Sequence, residues 1–426
     1  MASFSIPLTG LNADSTALNT IANDLSNMST TAFKSQSTNF SDLFYQQIGS
    51  TGGGDPIQVG AGTKVAANET DFTQGSINST GNATDVALNG NGFFVAANGD
   101  GLQEYTRAGD FSLTSNGDLV TSGGLNVMGY PAVNGVVNTN APLTAINIPV
   151  GQVEQPQATS TLNMTANLDD TSPTGTAFPA QVTVFDSLGT PHIATVTYTQ
   201  TATNTWSYSA ALPASDFTSG TVTPVTGSMT FDVNGNLQSV TPIGGAQTPV
   251  GTAAGDISSI PLSFSGLADG AATLNMGWNL LGSSGSPTIS QVDATSAVSG
   301  TLQDGYAPGQ YQSFTIGSDG TVTVTYSNQQ KQNVGQLALA NVTNVQGLQM
   351  LGDGDYATTL ASGTASVSTS GTAGLGTLQD GALEGSNVNI SAEFSNLIIA
   401  QRAFEANSKA VTTFDTVTQE TINMIH

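Results

Sequence analysis

Apolar residues recur at helical spacing near both ends of this chain. The N-terminal set repeats every seven residues and gains a second position in its last two heptads: Phe4, Leu11, Leu18, Ile21, Leu25 and Met28. The C-terminal set repeats in the same way, apart from Thr418 in one repeat position, and comprises Ile390, Phe394, Leu397, Phe404, Val411, Phe414 and Ile425. A sevenfold repeat of this kind predicts a helix that packs against other helices.

The N-terminal helix is predicted to be weak on its own. It contains many poor helix formers, each costing roughly half a kcal/mol relative to Ala: Ser15, Thr16, Asn19, Thr20, Asn23, Ser26 and Asn27. A narrow apolar stripe on about 25 residues does not easily offset that cost. We therefore predict that both apolar sets form a self-assembly interface and become ordered on contact with other copies. The alternatives are that the two helices pair within one chain, or belong to an ordinary domain core.

The region between the helices has the pattern of β-structure. Short alternating runs flank Asn116-Gly117, Asn234-Gly235 and Asp319-Gly320, which are dipeptides that favour tight hairpin turns. The last hairpin continues into 321–326, where Thr alternates with Val or Tyr, as expected for a strand with one buried face.

Residues between the first helix and this β region carry only a short apolar pattern. Phe40, Leu43, Phe44 and Ile48 predict a short extension, which glycines 52–54 interrupt, and a linker is expected after them.

Changes in composition divide the chain into six segments. Prolines between 142 and 156 and a Gly/Ser-rich stretch at 282–300 suggest that one β domain is inserted into another. The predicted fold class is mainly β with α-helical termini, a split β domain and an inserted outer β domain. The predicted segments are a core helix (1–32), a connecting segment (33–71), the first β domain (72–152 and 304–385), the inserted domain (153–303) and a second core helix (386–426).

Composition excludes several classes of function. The 426 residues include no Cys and only six Lys or Arg against thirty Asp or Glu, a formal net charge of −24. Such a chain repels phosphate backbones and anionic headgroups, so neither nucleic acid nor a membrane surface is an expected partner. A secretory signal and an apolar run of about 20 residues are both lacking, so membrane insertion is not expected.

No catalytic, cofactor or metal residues are predicted. Two histidines, His192 and His426, stand in unrelated contexts, and His192 in a turn is expected at the surface. Carboxylates at 169–170, 293 and 353–355 are candidates for glycoside hydrolysis or Ca²⁺ binding, but two Trp residues give little stacking surface for sugars and the Ca²⁺ ligand spacing is incomplete. The chain is therefore not expected to be an enzyme.

Three blocks resemble the bacterial flagellar rod and hook axial proteins. They are residues 11–34 (LNADSTALNTIANDLSNMSTTAFK), residues 87–95 (ALNGNGFFV) with 105–117, and residues 386–425 with Ala400-Gln-Arg402-Ala-Phe404. The segment 185–192 (FDSLGTPH) resembles a β domain that hook-type members carry in the middle of the chain, whereas rod-type members are generally shorter.

The resemblance implies a structural subunit of the flagellar hook, a flexible curved tube that transmits torque from rod to filament as a universal joint. It implies an extracellular homopolymer, exported by the flagellar type III apparatus without a cleaved signal peptide. The implied partners are the distal rod protein, the hook cap protein and the hook–filament junction protein. A distal-rod-type subunit and an extracellular β-fibre adhesin remain as alternatives.

Overall fold

A computed structural model describes residues 5–50, 54–99 and 101–424. Phe4 and Ile425, two of the predicted interface residues, lie outside these ranges. The described residues form helix α1 (Ser5–Ser26) and helix α2 (Ile390–Asn423), with strands between them. The predicted fold class, mainly β with helical ends, is confirmed, with 45% of the structure in strands.

The strands fall into three groups along the chain. The first group is β1 (Gln36–Asp42), β2 (Gln46–Ser50), β3 (Pro56–Val59), β4 (Thr63–Thr70), β5 (Ile77–Ser79), β6 (Val86–Asn89), β7 (Phe93–Ala97), β8 (Gln103–Thr106), β9 (Ser112–Leu113), β10 (Leu119–Val120), β11 (Asn126–Val133), β12 (Val136–Val137) and β13 (Thr144–Ala145). The second is β14 (Val153–Glu154), β15 (Thr161–Asp169), β16 (Ala177–Phe185), β17 (Pro191–Ala202), β18 (Thr205–Ala211), β19 (Val225–Phe231), β20 (Leu237–Pro242), β21 (Thr248–Pro249), β22 (Ser259–Phe264), β23 (Leu274–Asn279), β24 (Ile289–Val292) and β25 (Ala297–Gln303). The third is β26 (Gly309–Ile316), β27 (Thr321–Tyr326), β28 (Lys331–Leu337), β29 (Leu339–Asn341), β30 (Gln349–Gly352), β31 (Asp355–Ala357), β32 (Ser366–Ser368), β33 (Thr377–Asp380) and β34 (Ala382–Glu384).

The chain divides into two compact units. Unit 1 comprises Met1–Val150, Ser313–Thr325 and Lys331–His426, and unit 2 comprises Gly151–Gln312 and Tyr326–Gln330. The finer division into six segments stays a prediction.

Unit 1 is built on an antiparallel sheet in the order β27-β28-β11-β7-β8-β31-β30. Strand β7 is buried along its whole length, and its Phe93 makes an edge contact with Tyr356 of β31, 5.6 Å between ring centroids. Tyr105 and Tyr130 belong to the same buried cluster. This packing explains why the run at 93–97 is apolar without alternation.

The three predicted hairpin turns are confirmed. Strand β9 pairs with β10, β19 with β20 and β26 with β27, and the turn glycines Gly117, Gly235 and Gly320 have φ values of 87°, 80° and 87°. Positive φ is the reason that glycine occupies these positions. The predicted alternation in 321–326 is also confirmed, because its Val and Tyr residues are buried and its Thr residues are not.

Residues 36–70 form paired strands where the sequence predicts an extension and a linker. Strand β1 pairs with β4, and β2 pairs with β3, both antiparallel. Much of this segment is exposed, so it lacks the buried alternation that marks a strand in sequence.

Unit 2 encloses one core between two sheets. The described strands give an antiparallel sheet in the order β16-β17-β18-β19-β20-β21, and a second in the order β22-β23-β15-β24 with β25 also on β15. Their buried faces share a cluster that includes Trp206 and Trp278. Both tryptophans are therefore core residues.

The expectation that His192 lies at the surface is wrong. The residue is only 5% exposed, and its ring lies between the carboxylates of Asp186 and Asp216. Sequence reasoning missed this because the two acids come from loops that the chain brings together only on folding.

Candidate self-assembly surface

Helix α1 is attached to strands β1 and β4 by polar side chains. The hydroxyl of Thr38 donates to that of Thr20 over 3.1 Å, and the amide of Thr63 donates to Thr9 Oγ1 over 3.3 Å. Side chains that look like weak helix formers therefore serve as anchors. Part of the surface of α1 therefore contacts strands of the same chain. The sequence predicted a helix that becomes ordered on contact with other copies, and it did not predict these contacts with β1 and β4.

Asp24 is the most deeply buried of these anchors. Its Oδ2 accepts a 2.9 Å hydrogen bond from the amide of Gln36 at the start of β1, while Oδ1 has no hydrogen-bond partner among the described residues. Burial raises the pKa of Asp24 to about 6, and the negative charge of Glu393 on α2 adds to the increase. The carboxyl group therefore gains a proton more readily than an exposed one.

The two helices approach closely where both carry small residues. Ala13 of α1 and Ala400 of α2 are buried. A Cβ at Gly10 would lie 2.6 Å from Asn407 Nδ2, and that amide donates to Asp14 Oδ2 over 2.8 Å. Pairing of the helices within one chain, one of the predicted alternatives, is therefore present.

A groove runs between α1, β1 and α2. It has a volume of about 410 Å³, and its lining includes Ala17, Ile21, Phe40, Ile399 and Ala403. The lining combines apolar side chains with the carboxylates of the two helices, so the groove is open to a further apolar side chain.

The predicted interface residues differ in burial. Ile21 is buried, while the half-buried residues are Leu11, Leu18, Leu25, Leu397, Val411 and Phe414. The exposed ones are Met28, Ile390, Phe394 and Phe404. The seven-residue repeat thus contributes to two surfaces, one against the chain itself and one facing outward.

Several exposed apolar residues were not in the predicted set. On the helices they are Ile6, Leu8, Ile398, Ile399, Val417 and Ile422, and Met424 follows directly after α2. On the hairpin of β2 and β3 and the residues before it, here called the hairpin arm, they are Phe44, Tyr45, Ile48, Ile57 and Val59. Phe44 is 93% exposed. Large exposed apolar side chains concentrated on a few elements are typical of an interaction site.

A buried ion cluster ties the two chain ends to the β-structure of unit 1. Lys34 Nζ lies 2.6 Å from Glu384 Oε1 and donates to the carbonyl of Thr73, and Arg107 Nη1 lies 3.5 Å from Glu384 Oε2. Burial lowers the pKa of Lys34 and of Arg107, while Glu384 opposes both shifts. The motifs containing Lys34 and Arg107 were visible in the sequence, but their meeting at Glu384 was not.

None of the described helices is long and apolar enough to cross a membrane.

Three family models match parts of the chain. Residues 155–306 match the flagellar basal body protein FlaE D2 domain, residues 87–166 match the flagellar hook protein FlgE/F/G D1 domain, and residues 379–424 match the flagellar basal body rod FlgEFG protein C-terminal region. The resemblance noted from the sequence thus extends over the β-structure and the C-terminal helix.

Relatives match over nearly the whole chain. The flagellar hook protein FlgE of Escherichia coli K12 is 35% identical over 99% of both chains, and that of Treponema pallidum is 33% identical over 98% of both. The crystal structure of Helicobacter pylori flagellar hook protein FlgE2 shares the fold, with a TM-score of 0.53 and 15% identity over 72% of this chain and 100% of that one. The chain therefore belongs to the flagellar hook protein family and is a structural subunit of the bacterial flagellar hook.

Proposed function

We propose that this subunit polymerises through its terminal helices into a curved, flexible tube outside the cell, where it acts as a universal joint between rod and filament. The observation that carries the proposal is the outward-facing apolar surface of α1 and α2, which contrasts with the enclosed cores that each unit forms from its sheets. Phe394, Ile398 and Ile399 are all more than half exposed on α2. Burying such side chains between copies contributes roughly 1.5 to 3 kcal/mol for each one fully buried.

The proposed interface contains the residues predicted from the sequence, together with the additional exposed residues on α2 and the hairpin arm. Unit 2 has a different surface, with exposed apolar residues scattered singly, such as Val233 and Ile243. Contacts between such polar surfaces are wet and weak, so they can rearrange as the tube bends. The six-segment division belongs to this proposal, with 153–303 as an outer domain.

The proposed partners are other copies of the chain, the distal rod protein, the hook cap protein and the hook–filament junction protein. Export by the flagellar type III apparatus is part of the proposal, as the resemblance to flagellar axial proteins implies. Membership in a structural protein family supports a non-enzymatic role.

The interface is tested by polymerisation of the full chain with Leu397 and Phe404 both changed to Ala. Electron microscopy of purified material should show tubes for the native chain and none for the double variant, because each substitution removes apolar surface that neighbouring copies bury. Ile243→Ala, which changes an exposed residue of unit 2, is the control and should form tubes. Normal tubes from the double variant would contradict the proposed interface.

The proposed role of unit 2 in the bending of the tube is tested by a variant that lacks most of this unit. Gln157 and Tyr306 lie side by side and exchange two backbone hydrogen bonds of 3.1 and 2.9 Å, so an Asn-Gly turn can replace residues 158–305. We expect tubes that still form but differ from native tubes in curvature under the electron microscope. If this variant forms no tubes at all, unit 2 is needed for assembly itself, which would contradict its proposed role in bending only.

A further inference from the structure

Three loops of unit 2 meet around His192. The first is the turn 186–190 between β16 and β17, the second is the short 3₁₀ segment Ala214–Asp216, and the third is the loop 265–273 between β22 and β23. Each loop contributes one carboxylate to the surroundings of the imidazole.

The imidazole is held by two of these carboxylates. His192 Nδ1 lies 2.8 Å from Asp216 Oδ2, and Nε2 lies 3.1 Å from Asp186 Oδ2. Asp186 is completely buried. An oxygen of the exposed Asp269 joins this group, because the ligand atoms of Asp186, His192 and Asp269 all lie within 4.8 Å of one another.

This arrangement needs a cation on one side of the ring. A neutral imidazole has a single N–H group, and when Nδ1–H donates to Asp216, Nε2 presents a lone pair. That lone pair then faces the carboxylate of Asp186, whose Oδ1 already accepts from the amides of Leu188 and Thr190 at 2.8 and 2.9 Å. Two electron-rich atoms at this distance repel each other unless a proton or a metal ion lies between them.

We propose that Asp186, His192 and Asp269 bind one divalent transition-metal ion of the Zn²⁺ type, with Asp216 fixing the tautomer of the histidine. A carboxylate on the far nitrogen of a metal-binding histidine is the usual outer arrangement of such sites. The 3.1 Å between Nε2 and Oδ2 is near the ~3.3 Å that separates two ligands bound tetrahedrally at 2.0–2.1 Å. Mixed imidazole and carboxylate donors suit Zn²⁺ better than Mg²⁺ or Ca²⁺.

The loops that carry the ligands are fixed by their own contacts. The amide of Ala268 donates to the carbonyl of Asp216 over 2.9 Å, and the amide of Ala272 donates to Ser187 Oγ over 3.0 Å. In the first turn, Gly189 has φ of 82°, and a Cβ there would lie 2.5 Å from Pro308. The ligands are thus positioned before an ion arrives, and the exposed side of Asp269 gives it an entry path.

A second group of acids supplies a matched control. Asp169, Asp170 and Asp293 also bring carboxylate oxygens within 4.8 Å of one another, but none of the three is buried and no histidine joins them. A weak, purely electrostatic attraction for cations would be shared by both groups. Selective binding of a transition metal, in contrast, would occur at the His192 group alone.

The experiment is a titration of the full-length, untagged chain with Co²⁺, a spectroscopic substitute for Zn²⁺, followed by Zn²⁺ competition. We expect one equivalent of Co²⁺ with visible d–d absorption, displaced by Zn²⁺. The variant Asp269→Asn should weaken binding about tenfold or more. Asp293→Asn and His426→Ala should bind as the native chain does. Zn²⁺ should also raise the unfolding temperature of the native chain and not that of Asp269→Asn.

Two outcomes would overturn the site. One is the absence of a saturable single equivalent in the native chain, which would leave a protonated imidazole between the acids. The other is equal binding by the native chain and Asp269→Asn, or loss of binding in His426→Ala, either of which would place the ion elsewhere. Because assembly does not enter these measurements, failure of the metal site leaves the proposed interface untouched.

Discussion

Unit 2 and the terminal helices differ in what happens to their apolar side chains. In unit 2, Trp206 and Trp278 lie in a core that two sheets of the same chain enclose. On helix α2, Ala400 is buried, whereas Ile398 and Ile399 beside it remain exposed. One region completes its packing within a single chain and the other does not. Under the proposed function, the stability of a subunit and its capacity to assemble can therefore be varied separately.

The largest effect is expected for Trp278→Ala in unit 2, the region that completes its packing within a single chain. This ring is fully buried and contacts Tyr208 edge-on, with 5.6 Å between centroids. Its loss should reduce the free energy of unfolding of unit 2 by about 4 kcal/mol, since a large cavity replaces the ring. Chemical denaturation followed by tryptophan fluorescence measures this through Trp206, with Val233→Ala as the surface control. An unchanged unfolding transition would contradict the enclosed core.

A second test concerns the attachment of the chain ends in unit 1. Lys34→Met removes one partner of the buried Glu384 and should cost about 3 kcal/mol, because the carboxylate stays buried with a single, longer ion pair to Arg107. Limited proteolysis should then release fragments from the chain ends sooner. Lys64→Met is the control. Equal protection of both variants would show that the ion cluster does not hold the ends.

A smaller effect is expected where the helices touch. Gly10→Leu introduces a side chain where even a Cβ would meet the Asn407 amide at 2.6 Å, which should cost about 2 kcal/mol in helix pairing. Adding Asn407→Ala makes room and should restore part of the loss. Hydrogen exchange of residues 396–410 measures the pairing. If the single variant leaves exchange unchanged, the two helices do not depend on this contact.

The last expected effect is a dependence on pH. The pKa of Asp24 is about 6 in the folded chain against an ordinary value of 3.8, so between these values the folded state binds more protons than the unfolded state. Stability from this group is therefore present below pH 3.8 and is lost as the pH rises through about 6. Asp24→Asn should remove this part of the pH dependence in thermal unfolding measured from pH 4 to 7. An identical profile in the native chain and the variant would contradict it.

Much of this architecture follows from the sequence. The seven-residue repeat predicts both helices, and Gly117, Gly235 and Gly320 predict their hairpins, because each signal is local and has a single conformational explanation. The hairpin arm escaped prediction because an exposed strand need not alternate. The group around His192 escaped because Asp216 and Asp269 lie far from it along the chain, although Asp186 stands only six residues before it.

The apolar faces of the two helices were predictable in outline and not in detail. The repeat indicated which faces of the helices are apolar, but it could not show that Thr20 and Asp24 fasten α1 to β1 and thereby use part of that face. Distinguishing inward from outward positions requires the tertiary contacts of the β1–β4 segment. Those contacts are made by Thr and Asp side chains, which carry no periodic signal.

The backbone pairing of Gln157 with Tyr306 has a consequence for how hooks diversify. Gln157 and Tyr306, where the chain enters and leaves the segment between them, are paired with each other. Any segment whose two ends meet in a hairpin can therefore replace it, whatever its length, without changing the path of the rest of the chain. Members of the family can therefore differ in the length and sequence of this segment while the paired backbone on either side of it keeps its register.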